Sequence, residues 1–453
     1  MKKPKITVYI PSYNYGKYLQ EAIESVLRQT VDGWELLLID VNSEDNTKGI
    51  MELYRSDPRI TILKTANMKL PEVANIALKH SKGEYIVRID ADDVVDENIL
   101  LVLSNYLDKF PDFALVFPDY FLVDDQGSII RYEGRQTMYR SNHLLDMPAN
   151  GACTMIRKKV LQKLGGYRED LGAHDGFDLW TRVLRQHKCA NVNIPLFYYR
   201  RHGRNLTEDH VRILSARRII KKDACKVNLD NHRPILAVIP CRRHYDIYPN
   251  LWKKKLKGKA LLDIAIERCV SSSIFDKIVI ASDNCAVQDN MAKHKDPRLV
   301  FVERSKESTL NSRSVAYTLE EVVRKLKVEW KGISILSYIQ APFTSTESLE
   351  EAAYTLILND ADSAFSVEEI TQDLYKRTPH GLMQISTQGR MRSDFDIIYA
   401  DILASMATKN INFKTGSLSG AKISHFVIPK NEAFFIHSKR DLEIARKLRK
   451  WIT

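Results

Sequence analysis

No apolar run in this 453-residue chain approaches the roughly 20 residues a membrane-spanning helix needs; stretches such as 113–117 and 333–339 are strand-sized. Cysteine is sparse: Cys153, Cys189, Cys225, Cys241, Cys269 and Cys285 are scattered, with no C-x-x-C pair. That spacing speaks against a zinc site and against a disulfide framework, and it suits a reducing compartment. The opening Met1-Lys2-Lys3-Pro4-Lys5 runs straight into Ile6-Thr7-Val8-Tyr9-Ile10 without the apolar core of a signal peptide, so the cytoplasm is the expected location. Short-period repeats and low-complexity tracts are absent. Disorder over most of the length is excluded by 44% hydrophobic against 28% charged residues.

What is present is length enough for two or three domains and an excess of positive charge, 68 Lys plus Arg against 57 Asp plus Glu, net +11. A solvated basic surface, phosphate-bearing substrates and an anionic membrane surface each account for that sign. Nucleic acid is not expected as a partner, because clusters such as Lys253-Lys254-Lys255 are short and carry no interleaved aromatics.

Strand-like runs at 6–10, 35–39, 60–63, 84–89 and 114–117 alternate with helix-period segments, among them Tyr18, Leu19, Ala22, Ile23, Val26 and Leu27. A second alternation starts at Pro234, with runs at 235–239, 277–280, 299–302 and 333–339. The expectation is α/β throughout: two Rossmann-like domains in tandem, mostly parallel sheets covered by helices. The first would span 1–228, with a core at 4–208 and a terminal helix at 211–228. A linker would follow at 229–233, and the second domain would fill 234–453.

Ligands of such sheets sit at the carboxyl ends of the strands. Three polar clusters stand there: Pro11-Ser12-Tyr13-Asn14-Tyr15-Gly16, Asp40-Val41-Asn42-Ser43-Glu44-Asp45-Asn46-Thr47, and Asp90-Ala91-Asp92-Asp93. Crowded carboxylates repel unless a cation neutralises them, and an Asp-x-Asp can hold Mg²⁺ or Mn²⁺ with diphosphate oxygens completing the shell. Helix caps and turns are the other reading of the same aspartates.

These clusters, with Ala22-Ile23-Glu24-Ser25-Val26-Leu27-Arg28-Gln29-Thr30, Gly165-Gly166-Tyr167, His174-Asp175-Gly176-Phe177-Asp178-Leu179-Trp180 and Tyr199-Arg200-Arg201-His202, resemble the inverting family-2 glycosyltransferases of the GT-A fold over residues 4–208. The resemblance implies that Pro11 and Tyr13 line the base and ribose of a nucleotide-sugar donor. Asp40 would help hold the base, and Asp90 the ribose or the metal. Asp92 would be the direct ligand of Mn²⁺ or Mg²⁺; His202 would reach the metal or diphosphate, or else serve packing. Asp175 matches the family's general base, which takes the acceptor hydroxyl's proton, and its apolar neighbours would favour a raised pKa. Its other reading is the N-cap of a helix over 176–184. Asp178 reads as structural or acceptor-side. Two donor-side positions depart from the family: Asp40-Val41 where two aspartates are common, and Ala74-Asn75 where arginine often precedes the asparagine.

Residues 233–449 are similar to cytidylyltransferases that make CMP-activated acid sugars, through 235–242, Gly258-Lys259-Ala260-Leu261-Leu262, 275–283, Arg304, Gln340-Ala341-Pro342, 361–367 and 426–445. The chemical positions differ. The phosphate loop, 242–249, has no glycine, and Asp246 stands where the family has lysine. Phe435 and His437 stand in place of the metal aspartates. Arg242 and Asp283 remain as a residual nucleotide site. The expectation is an inverting, metal-dependent glycosyltransferase acting on a saccharide or lipid-linked saccharide at the inner face of a membrane, dimeric through a degenerate second domain. The alternatives are a bifunctional enzyme whose second domain makes a CMP-type sugar, and a non-catalytic assembly factor.

Overall fold

Ile6, Val8 and Ile10 face one side of β1 (Ile6–Ser12) and Tyr9 the other, and both sides are covered. That double burial is why the strand reads as an unbroken apolar run, as central strands of parallel sheets do. The computed structural model describes residues 3–134, 151–203, 210–245, 248–310, 313–370, 374–385 and 398–448. Among these the chain forms two compact units, the first ending at Ile220 and the second beginning at Lys221.

In the first unit β1 is followed by α1 (Gly16–Leu27), β2 (Trp34–Asp40), α2 (Thr47–Glu52), β3 (Ile60–Lys64), α3 (Leu70–His80) and β4 (Tyr85–Arg88). Then come β5 (Val94–Val95), α4 (Ile99–Lys109), β6 (Phe113–Val123), β7 (Ile129–Glu133), β8 (Met155–Arg157) and α5 (Lys158–Lys163). The unit closes with α6 (Asp175–Leu184), β9 (Lys188–Arg200) and the start of α7 (His210–Cys225). Sheet order is β3-β2-β1-β4-β8-β6-β9-β5, with β7 beside β6. The first four strands are parallel; β8 runs against both of its neighbours.

The second unit repeats the theme. Its strands are β10 (Ile235–Cys241), β11 (Lys255–Leu256), β12 (Lys259–Ala260), β13 (Lys277–Ser282), β14 (Leu299–Glu303) and β15 (Ile333–Leu336), then β16 (Ser363–Ile370), β17 (Tyr375–Thr378), β18 (Gly381–Gln384), β19 (Ile398–Lys409) and β20 (Ile423–Val427). Helices α8 (Leu261–Val270), α9 (Val287–Met291), α10 (Val315–Lys325), α11 (Thr346–Leu358) and α12 (Lys439–Lys447) complete it. The main sheet runs β14-β13-β10-β15-β19-β16-β20, its first four strands parallel. Helices cover both faces, and the two large apolar clusters of each unit lie on either side of its sheet, with a small third cluster of Leu171, Phe177 and Ile220 in the first.

Three local expectations shift. The apolar run at 333–339 stays a strand only to Leu336, because the buried Arg268 turns the chain by donating to Ser337 Oγ (2.8 Å) and to the carbonyls of Tyr338 and Ala341. The segment expected as a linker contains a 3₁₀ turn, Leu229–His232, and the division between the units falls earlier, inside α7. Past Ile220 the helix is built into the second unit: Lys221 Nζ meets Glu351 Oε1 and Thr355 Oγ1, both at 2.8 Å and all buried. Asp246 lies outside the described residues.

Candidate functional site

β4 is buried along its length yet ends in a charged residue, Arg88, immediately before the turn that carries Asp90, Asp92 and Asp93. Arg88 Nε lies 2.8 Å from Asp90 Oδ1 as a charge contact, and Nη1 donates to Asp175 Oδ2 at 2.6 Å. One guanidinium therefore joins a carboxylate of the turn to the first residue of α6. On the far side of the turn, Asp92 Oδ2 is 2.9 Å from His202 Nε2, both side chains being buried. The His202 ring stacks on Tyr18 (centroids 5.2 Å, interplanar angle 19°) and meets Tyr15 edge-on at 5.7 Å. Asp93 is fully buried; its Oδ1 accepts from the Arg200 backbone N–H at 3.0 Å, and its Oδ2 has no partner.

The electrostatics follow from crowding in a dry place. Burial, countered by Arg88 and reinforced by the charges of Asp92 and Asp175, pushes Asp90 up to about 6. Burial and then the Asp92 and Asp90 charges hold the Asp93 carboxyl well above the usual range. The Tyr15 hydroxyl is raised by burial and by the Asp92 charge. Arg200 relieves part of this: its Nε donates to the Asp92 carbonyl at 3.0 Å and its Nη2 to Glu21 Oε2 at 2.6 Å.

The donors that would take a divalent cation are Asp92 Oδ2 and His202 Nε2, which face each other at 2.9 Å. Among the described residues no group of three or more His, Cys, Asp or Glu is placed to hold a metal ion, so the protein would supply a pair of ligands and the substrate and water the rest. An open site that leaves positions for substrate oxygens and water is how magnesium-type ions are held at phosphates.

The donor-side residues lie at the ends of β1 and β2. Pro11 pairs with Ile39 in register, and Tyr13 stands 51% exposed just past the strand. Asp40 is buried and accepts from Ser43 N–H at 2.9 Å, shaping its own turn. Asn14, with φ of 58°, accepts from Glu44 N–H (2.7 Å) and donates its backbone N–H to Ser43 Oγ (3.0 Å), so the two loops are laced together. At the departure from the family pattern, Ala74 is fully buried beside Tyr9, Leu37 and Trp180, a place where an arginine would be buried unpaired. Asn75 clamps the 165–167 turn, donating to the Tyr167 carbonyl (2.9 Å) and accepting from Tyr167 N–H (2.8 Å).

Asp175 is the first residue of α6; the cap position belongs to His174, with φ of 59°. The carboxylate meets the Arg88 guanidinium, a partner the sequence reading did not foresee. Asp178 is structural in its contacts: its Oδ2 accepts from Arg182 Nε at 2.8 Å, and Arg182 in turn donates to the carbonyls of Leu164 and Gly166. Sequence reasoning overlooked Arg88; it placed Tyr15, Tyr18 and Arg200 in its motifs without a role of their own, and read Asp93 with the other aspartates as a carboxylate of the cluster or a cap. The legible signal was an arginine ending an otherwise apolar strand directly before an aspartate cluster.

In the second unit Asp283 Oδ1 accepts from Arg243 N–H at 2.7 Å, so it sits against the backbone beside Arg242. Burial, and then the neighbouring Arg242 charge, lower the Arg304 guanidinium, which puts two cations in one neighbourhood. Phe435 packs on His437 (4.6 Å) and edge-on to Tyr338 (5.8 Å), an aromatic surface.

Two family profiles match the chain: "Glycosyl transferase family 2" over residues 7–165 and "Cytidylyltransferase" over residues 252–393. A chondroitin synthase of Escherichia coli is 21% identical over 246 residues, 53% of this chain and 36% of that protein. A UDP-Glc:alpha-D-GlcNAc-diphosphoundecaprenol beta-1,3-glucosyltransferase of Escherichia coli is 27% identical over 194 residues, 42% of this chain and 73% of that protein. The chain spans 32%, 36% and 21% of the first three curated relatives it matches. Among solved structures, a mannosyltransferase from Pyrobaculum calidifontis in complex with GDP-Man and Mn²⁺ is 17% identical with a TM-score of 0.40, covering 50% of this chain and 65% of that one. The chain is thus similar to family-2 glycosyl transferases over residues 7–165 and to cytidylyltransferases over residues 252–393.

Proposed function

We propose that the first unit is an inverting, metal-dependent glycosyltransferase. It would move a sugar from a nucleotide-sugar donor to a hydroxyl of a saccharide or lipid-linked saccharide in surface polysaccharide or glycoconjugate synthesis. The observation that carries this reading is the meeting of Asp90, the Asp92–His202 pair and Asp175 around one turn at the carboxyl ends of the strands. Pro11, Tyr13 and Asp40 would hold the nucleoside. Asp92 and His202 would hold Mn²⁺ or Mg²⁺, which when bound neutralises charge on the departing diphosphate. Asp175 would take the acceptor hydroxyl's proton as that oxygen bonds to the anomeric carbon. The bond from that carbon to the diphosphate oxygen breaks, and the nucleoside diphosphate leaves with the electron pair.

The test is a panel of nucleotide sugars with Mn²⁺ and saccharide acceptors, following release of nucleoside diphosphate and the anomeric configuration of the product. Inverted product that disappears in Asp92→Ala supports the reading; full activity in that variant overturns the metal assignment and with it the mechanism.

A second reading, that the second unit charges a sugar acid with a nucleotide, draws on Arg242 and Arg304, which would suit an anion, and on Asp283, which holds the 243 backbone beside them. Against it stand Phe435 and His437, since an aromatic pair cannot replace two metal-holding carboxylates. We favour a scaffold or binding domain. Pyrophosphate release from CTP and sugar acids would decide for the bifunctional enzyme. Among the described residues no helix is long and apolar enough to cross a membrane. Work at the cytoplasmic face would then rest on peripheral contact.

A further inference from the structure

We propose that Arg88 is a positioning residue that clamps the donor-side turn to the acceptor-side helix, so that Asp175 is held in register with the carboxylates at 90 and 92. The inference rests on the glycosyltransferase reading above and adds to it a residue that the family resemblance did not supply.

Four observations carry it. The guanidinium is buried and makes both contacts at once, Nε to Asp90 Oδ1 at 2.8 Å and Nη1 to Asp175 Oδ2 at 2.6 Å. Nη1 donates a hydrogen bond to Asp175 while Nε meets Asp90 as a charge contact outside hydrogen-bond geometry, and the rigid planar fork of a guanidinium holds two carboxylates more tightly than a flexible ammonium can. The backbone is anchored as well, because the Arg88 carbonyl accepts from Cys153 N–H and Tyr9 pairs with Arg88 in the parallel ladder. Finally, the fork sits where the chain keeps room for it. A Cβ added at Gly151 would fall 2.6 Å from Arg88 Nη2 and 3.2 Å from its Cζ.

The chemical consequence is geometric. Asp175 belongs to a helix and Asp90 to a turn 85 positions earlier in the chain. Transfer with inversion needs the base on the face opposite the leaving group, and an error of about 1 Å in such an alignment costs on the order of 10²-fold in rate. Without the fork, two carboxylates in a dry pocket would repel and separate.

Three variants of the full chain test this: Arg88→Gln, Arg88→Lys and Gly151→Ala, the last moving the guanidinium without removing any charge. For Arg88→Gln we expect transfer kcat to fall about 10²-fold while donor KM rises less than about tenfold. Arg88→Lys should recover part of the loss, and Gly151→Ala should lose about tenfold in kcat. Amide exchange over 174–181 should quicken in Arg88→Gln and Gly151→Ala, with the rest of the first unit unchanged. Unaltered kcat together with unaltered exchange in both variants would overturn the clamp. Should Arg88→Gln fail to fold, the lysine and alanine variants decide by the same two measurements. Should the wild type transfer no sugar, the functional reading fails, and the exchange experiment still decides whether Arg88 fixes α6.

Discussion

Asp175 and Asp92 differ in what their neighbours permit, and the difference sets two predictions. Asp175 occupies the first helical position of α6 rather than its cap, so the helix does not depend on its side chain for capping. Asp175→Asn keeps an oxygen that can accept from Arg88 Nη1 but loses the charge opposite that buried guanidinium, so the melting temperature should fall modestly while the donor affinity is kept. It should lower transfer by about 10² to 10⁴-fold, the usual worth of a positioned base. Near-normal turnover would remove Asp175 from the mechanism. Asp178, tied to Arg182, would be a poor replacement. Asp92→Asn keeps a partner for His202 and removes a charge from a crowded turn, so the protein without metal should melt no lower than the wild type. Mn²⁺ should raise the melting temperature of the wild type and not of Asp92→Asn, as mass action requires if Asp92 is a ligand. An equal shift in both proteins would count against the site.

At the scale of elements, α7 shows how one helix can serve two cores. Ile220 packs with Leu171 and Phe177 in the first unit, whereas the next residue, Lys221, pairs with Glu351 and Thr355 in the second. Both side chains of the Lys221–Glu351 pair are buried, so removing either partner leaves a charge with nowhere to go. Lys221→Ala or Glu351→Ala should destabilise the second unit by about 3–5 kcal/mol, and replacing both with apolar residues should cost far less. Urea unfolding monitored within the second unit measures both. If Lys221→Ala unfolds at the wild-type urea midpoint, the pair contributes nothing.

For the whole molecule, the placement of the division inside α7 changes where the chain can be cut. A fragment ending at Asn231 keeps Lys221 and Cys225 without Glu351, Thr355 and the Tyr354 carbonyl that satisfy them. We expect that fragment to aggregate, and one ending at Ile220 to stay soluble and bind nucleoside diphosphate. Equal solubility would show that the helix end tolerates exposure. The homodimer expected through the second unit can be tested at the β17–β18 hairpin, where Tyr375, Met383 and the 73%-exposed Leu382 are exposed. Sedimentation of Leu382→Asp against the wild type tests it: a shift toward monomer is expected, and an unchanged dimer would place the interface elsewhere.

The amino-acid sequence by itself determined the class of fold, the tandem arrangement and the leading parallel strands of both sheets, because buried parallel strands must be continuous apolar runs wherever they lie. It also displayed the aspartates at strand ends, since their chemistry is local to a turn. Only the tertiary structure decided what those aspartates touch. Arg88 reaches Asp175 across 87 positions of sequence and His202 reaches Asp92 across 110, and no local pattern encodes a meeting at that separation. The same reason explains the strand that stops at Leu336 and the boundary inside α7. In each, a buried cation, Arg268 or Lys221, finds its oxygen partners from distant segments, and the need to satisfy that charge overrides what the neighbouring residues would do alone.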